Sequence, residues 1–316
     1  MNLRTTSAVV QLIEVDSEHQ GQRIDNFLFA RLKGVPKSHV YRILRTGEVR
    51  RNGGRVRASD RIESGDVIRV PPVRIADRDD IELPLNLIRG RIEPRILFED
   101  EDLLVLNKPS GMAVHGGSGL SYGVIEALRE LRPDARGLEL VHRLDRETSG
   151  CLLIAKKRSA LRVLHEQFRD DVVGKVYLAL LAGVWAKNRW LVDAPLKKNV
   201  LQSGERMVRV SREGKEAVTE FRRMERYQGA TLVEAKPVTG RTHQIRVHAQ
   251  HLGHPLAGDD RYGDEKTNRH FGQYGLKRLF LHAKETTFKH PRTGDALTIR
   301  APLDDELLHV LTLLPR

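Results

Sequence analysis

The stretch HRLDRETSGCLLIAKK, residues 142–157, sets a carboxylate, Asp145, between two guanidinium groups, Arg143 and Arg146. Flanking cations favour the ionised form of an acid, so a lowered pKa is expected, and a permanent carboxylate suits a nucleophile better than a general acid. The arginines can neutralise the acid while gripping anions of their own. A plain Arg–Asp ion pair closing a turn fits the same residues. A second stretch, VTGRTHQIRVHAQHLGHP, covers residues 238–255. Gly240 permits a tight turn and Thr242 is a candidate cap. The helix that follows would carry Arg241 at its N-terminal end, where anions are favoured, and the anion can be a phosphate or Asp145. His248, His251 and His254 fall at three-residue steps behind His243, a spacing that invites a metal. With no acidic partner close by and no usable cysteine, a basic or capping helix is the better reading, and no metal site is expected.

These residues need elements to hold them. GCLLIA, directly after Asp145, reads as a buried strand, and a loop-to-strand boundary fixes a side chain better than a free loop does. Upstream, RILFEDEDLLVLNK gives two apolar runs around the acidic turn Glu99–Asp102, a hairpin signal. SALRVLHEQFRD predicts a helix capped by Ser159 with Leu161, Leu164 and Phe168 inward. KVYLALLAGVW, VTEFRRMER, ATLVEAKPV, LFLHAKETTFKHP and ALTIRAP predict strands, and DDELLHVLTLL an acid-led helix. So many consecutive strands imply an α+β fold with a mixed, largely antiparallel sheet. In front lies a smaller α/β module. RIDNFLFARLKGV and PKSHVYRILRTG carry apolar residues at helical spacing, with Ser38 to cap the second helix and Gly47 to end it. Short strands follow around an Asn52-Gly53 turn. The expected division is a small basic domain over 14–75, a Pro- and charge-rich linker over 76–92, and a large domain over 93–316.

The chain has 316 residues and a formal net charge of +12. Between Arg31 and Arg61 ten basic residues, among them Lys37, Arg42, Arg45, Arg50, Arg51 and Arg55, face two acids, Glu48 and Asp60. The excess runs through helix, turn and strand instead of following one helical face, which points to RNA. One cysteine, Cys151, excludes an internal disulfide and a multi-cysteine metal site and fits a reducing compartment. The N-terminus lacks the apolar core of a signal peptide and no run approaches the ~20 residues of a membrane span, so a cytoplasmic protein is expected. No exposed apolar helical seam is evident, and a monomer is expected. HGGSG at 115–119 lacks the Lys-Ser ending of a nucleotide-binding loop. Aromatic residues are only 5% of the chain, so stacking on bases must rest on a few positions such as Tyr177.

HRLDRETSG, KVYLAL, GRTHQIRVH and LFLHA, in that order, resemble the signature set of the RluA-type pseudouridine synthases. The front module resembles the small RNA-binding domain shared with a protein of the small ribosomal subunit. The resemblance spans about Glu14 to Leu314, and NKPSGMAVHGGSGLS and VLQSGERMVRVS narrow it to members that modify large-subunit (23S) ribosomal RNA. It implies an enzyme that detaches uracil from ribose, rotates it and rejoins it through C5, using neither cofactor nor metal. It puts the essential aspartate on Asp145, the active-site tyrosine that lies against the base and helps remove the C5 proton on Tyr177, the arginine paired with the aspartate on Arg241, and the base-displacing arginine on Arg143. Breaking a C–N glycosidic bond develops oxocarbenium character that one carboxylate can trap or stabilise; alternatively it removes a sugar proton to give a glycal. The detached base is both leaving group and incoming nucleophile, so no second catalytic acid is required, and Glu147 is assigned to loop structure.

Overall fold

The computed structural model describes residues 9–32, 35, 37–73, 85–116, 122–135, 137–200 and 206–316. The chain forms two compact units, Met1–Glu82 and Leu83–Arg316.

The first unit contains β1 (Gln11–Glu14), α1 (Ile24–Arg31), α2 (Lys37–Arg45), β2 (Arg50–Arg51), β3 (Gly54–Arg55) and β4 (Val67–Val70), with sheet order β1-β4-β2-β3. Val40, Ile43 and Leu44 share one side of α2 and are buried against Phe27 and Leu28 of α1. Gly47 ends the helix: its φ of 73° is easy only for glycine, and the bend lets Glu48 and Val49 donate to the Ile43 carbonyl. Asn52 and Gly53, at φ 49° and 80°, make the tight turn between β2 and β3. Ser38 lies inside the first turn of α2, which begins at Lys37, and is not its cap.

The second unit runs α3 (Leu85–Ile92), β5 (Ile96–Glu99), β6 (Leu103–Lys108), α4 (Val124–Leu131), β7 (Glu139–Leu140), β8 (Ser149–Ala155), α5 (Arg158–Arg169), β9 (Gly174–Ala182), β10 (Arg189–Asp193), β11 (Leu196–Val200), β12 (Arg206–Val210), β13 (Val218–Tyr227), β14 (Ala230–Pro237), α6 (Gln244–His251), α7 (Glu265–Gly272), β15 (Leu281–Lys289), β16 (Ala296–Arg300) and α8 (Asp305–Leu313). Its main sheet has the order β10-β13-β14-β9-β15-β8-β6-β5, with β16 on β15 and β7 on β8, while β11 and β12 form a separate ribbon. Every pairing in it is antiparallel except β8–β15.

Alternation along the central strands explains their unbroken apolar runs. On β6, Leu104 and Leu106 join Leu152 and Ile154 of β8 under α4. Leu103 and Val105 turn the other way, with Cys151 and Leu153, onto Ala160 and Leu164 of α5. A sheet covered on both faces needs apolar residues at consecutive positions. At the parallel junction Gly150 pairs with Ala283. Its φ is 108°, and a β-carbon there would lie 2.3 Å from the Ala283 carbonyl oxygen, so the close approach requires glycine.

Two local expectations change. Ser159 lies within α5, which Lys157 precedes without a side-chain cap. Residues 85–92, read as the end of the linker, form α3, and Ile88 and Ile92, one turn apart, bury themselves in the core beneath α4; residues 76–84 of that linker, and 74–75 before it, lie outside the described residues.

Candidate active site

Asp145 sits in the turn that feeds β8, where the Thr148 amide donates to the Asp145 carbonyl. Leu144 before it is buried in the core under α4, so the backbone on one side of the acid is anchored by packing. The other side is held by the segment after β6. Gly111 N donates to Arg146 O at 2.9 Å and Ser110 Oγ to Glu147 O at 2.7 Å. Lys108, fully buried, donates from Nζ to the carbonyls of Pro109, Met112 and Arg146 at 2.9, 2.8 and 3.0 Å. Three acceptors use all three ammonium hydrogens. Burial pushes this lysine down to about 7, against the pull of Glu147 and Asp145.

The side chain of Asp145 is 22% exposed, and Oδ2 lies 3.7 Å from Arg246 Nη1 and 3.7 Å from His243 Nε2. Arg246 is itself fixed: Nε and Nη2 donate to the two oxygens of buried Asp259, both at 2.7 Å, and the guanidinium lies over the Tyr262 ring. Burial opposes its charge, but Asp259 and Asp145 outweigh burial and its pKa is raised. Such a fork is a rigid cation, already desolvated, with one nitrogen turned to Asp145.

Tyr177 enters from β9, where it pairs with Ala235 of β14 and Ala283 of β15. Ala283 also pairs with Gly150 of β8, so Tyr177 lies two strands over from the strand that Asp145 leads into, with β15 between them. The ring packs against two core clusters and is half-buried. Burial and then the Asp145 charge push its phenol up, leaving it neutral at physiological pH. Among the described residues its hydroxyl has no hydrogen-bond partner.

The expected pairing of Arg241 with Asp145 is not what the structure forms. Arg241 is exposed and donates from Nε to the Glu216 carbonyl at 2.9 Å. The reason is the start of α6. His243 turns in the left-handed region at φ 54°, and Gln244 Oε1 accepts from Arg241 N and Thr239 Oγ1. The cap position is therefore His243 and not Thr242, without a side-chain cap bond, and the next inward guanidinium is Arg246, half a turn into the helix. Nor do the sequence neighbours neutralise the acid. Arg143 is exposed and, among the described residues, has no ion pair, whereas Arg146 donates to Gly111 O and lies 3.5 Å from Glu147. Of the other histidines of the segment, His248 contacts Thr219 Oγ1 and Ala194 O, His254 contacts Ala182 O, and His251 is exposed.

In the first unit Arg42, Arg45 and Arg55 are exposed and Arg50 is half-buried. Arg51 differs, since its Nε lies 3.0 Å from buried Asp66 and Nη1 donates to Arg61 O. The side chain of Lys37 lies outside the described residues. One group elsewhere brings three possible metal-ligating atoms within 4.8 Å, namely Asp100, Asp102 and His290. They form an ion-pair network at the β5–β6 turn: His290 Nε2 lies 2.7 Å from Asp100 Oδ2, Arg292 Nε donates to Asp102 Oδ2, and Lys157 adds a second cation.

Among the described residues, no helix is long and apolar enough to cross a membrane. Residues 22–68 match the S4 domain and residues 102–251 the RNA pseudouridylate synthase family. Similar curated proteins are the ribosomal large subunit pseudouridine synthase C of Yersinia pestis, 59% identical over 98% of this chain and 97% of that protein, and its namesake of Escherichia coli K12, 56% identical over 98% of each. Among solved structures, human RNA pseudouridylate synthase domain containing 4 aligns with a TM-score of 0.60 and 28% identity over 72% of this chain and 95% of that one. An S4 domain, a mixed and mostly antiparallel sheet, an aspartate held where that sheet's parallel junction begins, and full-length likeness to these enzymes place the chain in the RluA-type pseudouridine synthase family.

Proposed function

We propose that this chain isomerises particular uridines of large-subunit (23S) ribosomal RNA to pseudouridine, with Asp145 as the reacting acid and Tyr177 and Arg246 beside it. The observation that supports this reading best is the Asp145 carboxylate, held by backbone contacts on both sides and faced by a buried guanidinium. The uridine must leave its stack to bring C1′ to that carboxylate, at a cost of a few kcal/mol. The C1′–N1 bond then breaks and uracil takes the electron pair. Asp145 meets the developing positive charge on the sugar, either by bonding to C1′ or by taking the C2′ proton. After rotation C5 bonds to C1′, the C5 proton departs and the carboxylate is regenerated. Burial and then the Asp145 charge hold Tyr177 as a neutral phenol, which cannot itself take up a proton; its ring lies against the base, and the C5 proton leaves to water while N1 takes one up.

The small basic domain, residues 14–75, supplies phosphate contacts through Lys37, Arg42, Arg45, Arg50 and Arg55. Arg143 and Arg146, exposed on either side of the acid, fit contacts to the displaced strand. The same reading takes the chain as a cytoplasmic monomer for which protein-poor large-subunit RNA suffices as substrate. The test is loss of tritium from C5 of uridine in a large-subunit RNA transcript, with sites mapped afterwards. Asp145→Asn should abolish release while RNA affinity and folding persist. Retained release, or free uracil as product, would exclude the mechanism.

A further inference from the structure

Tyr262, in the loop that joins α6 to α7, is buried, and its hydroxyl meets two nitrogens. Val208 N, on the β11–β12 ribbon, lies 3.1 Å away, and His243 Nδ1 lies 2.7 Å away. An amide nitrogen can only donate, so the Tyr262 oxygen accepts from Val208. That leaves the hydroxyl hydrogen, whose one bonding neighbour among the described residues is His243 Nδ1, and the buried hydrogen is used only if Nδ1 accepts it. A neutral imidazole that accepts at Nδ1 carries its proton on Nε2. Nε2 is the nitrogen 3.7 Å from Asp145 Oδ2. The ring is set edge-on to Tyr262, with centroids 5.5 Å apart, and its backbone is left-handed at φ 54°, an uncommon conformation for a side-chain-bearing residue.

We propose that His243 and Tyr262 are positioning residues for Asp145: Tyr262, anchored by the Val208 amide, holds His243 as its Nε2–H tautomer, and that N–H orients the carboxylate towards the target sugar. The proposal rests on the reading of Asp145 as the reacting acid. The separation leaves the N–H close to the carboxylate oxygen without bonding to it, so it can follow the oxygen as the acid moves on to the nucleotide. The charged groups around the imidazole are Asp145 from the turn before β8, Arg246 in the first turn of α6, and Asp259 and Arg261 from the following loop, with Tyr262 the only phenol in contact among the described residues. Burial leads in holding the ring neutral, Arg246 and Arg261 reinforce it, and the two aspartates oppose.

Tritium release measured against pH, with kcat and KM separated, tests this. Tyr262→Phe removes a donor that favours the neutral ring, so the acid limb of kcat should move to higher pH. Its kcat should fall about ten-fold, equivalent to about 1.4 kcal/mol, with KM for RNA unchanged. His243→Gln offers an N–H near the position of Nε2 but does not titrate; it should keep more activity than His243→Ala and lose that limb. Adding Tyr262→Phe to His243→Gln should cost nothing further. Unmoved pH profiles in both single variants, or fully additive losses, would overturn the proposal while an inactive Asp145→Asn left the catalytic reading intact. Activity in Asp145→Asn would overturn both.

Discussion

Replacing Arg246 by lysine separates the two arginines of GRTHQIR. The Arg246 guanidinium spends Nε and Nη2 on Asp259, at 2.7 Å each, and turns Nη1 to Asp145 at 3.7 Å. A lysine has one nitrogen for the same three oxygens, so it either stays on Asp259 or moves to Asp145. At this separation and an effective dielectric near 20, two unit charges attract by about 4 kcal/mol. Lysine keeps the charge nearby but farther off. Losing about half of that attraction as charge shifts in the transition state, about 2 kcal/mol, means a roughly thirty-fold fall in kcat. The Asp259 side chain is 0% exposed, and an oxygen of it left unpaired costs about 1–3 kcal/mol of stability. Each kcal/mol should lower Tm by about 2–4 °C in a domain of this size. Arg241→Lys is the control, since an exposed guanidinium bound to one carbonyl should be worth about 0.5 kcal/mol or less in stability, with kcat near wild type. Tritium release for kcat and calorimetry for Tm read both variants. Full kcat in Arg246→Lys, or a larger loss in Arg241→Lys, would refute the assignment.

Lys108 gives a pH signature. Burial holds its folded-state pKa at about 7, whereas the unfolded lysine stays protonated to about 10.4, so in between the unfolded chain binds the extra proton. The contribution of this group to stability therefore rises with pH, by about 1.4 kcal/mol per unit, and Lys108→Met should show a flatter Tm between about pH 7 and 9; parallel curves would contradict this. In the small domain, Arg42→Ala and Arg45→Ala should each reduce the slope of log K for RNA against log salt by about 1. Arg51→Ala should instead lower the stability of that domain, because it removes the cation paired with buried Asp66, which keeps only its bonds from Asn52 Nδ2 and Glu63 N, and an effect on the salt slope alone would count against that role.

Much of this architecture is legible in the residues themselves. The hairpin around Glu99–Asp102, the strand after Asp145, the Asn52-Gly53 turn and the helix led by Asp304 follow from the short-range periods of 2 and 3.6 and from turn chemistry. The order of motifs also carries the family likeness, and Asp145 stands out as an acid at a loop-to-strand boundary. Sequence reasoning missed Arg246, Lys108 and Tyr262 and considered His243 only as a possible metal ligand. A signal existed for the first: GRTHQIR has two arginines five positions apart, and a helix beginning at Gln244 turns only one of them inward. None existed for Lys108, whose three carbonyl partners come from two separated loops and whose charge reads as ordinary surface. Arg51 is similar, because its role depends on Asp66 across the turn. Periodicity is a property of neighbouring residues and survives in any window of the chain. Which charge meets which depends on β8 lying beside β15 and β15 beside β9, and long-range pairing of that kind exists only after the backbone has closed.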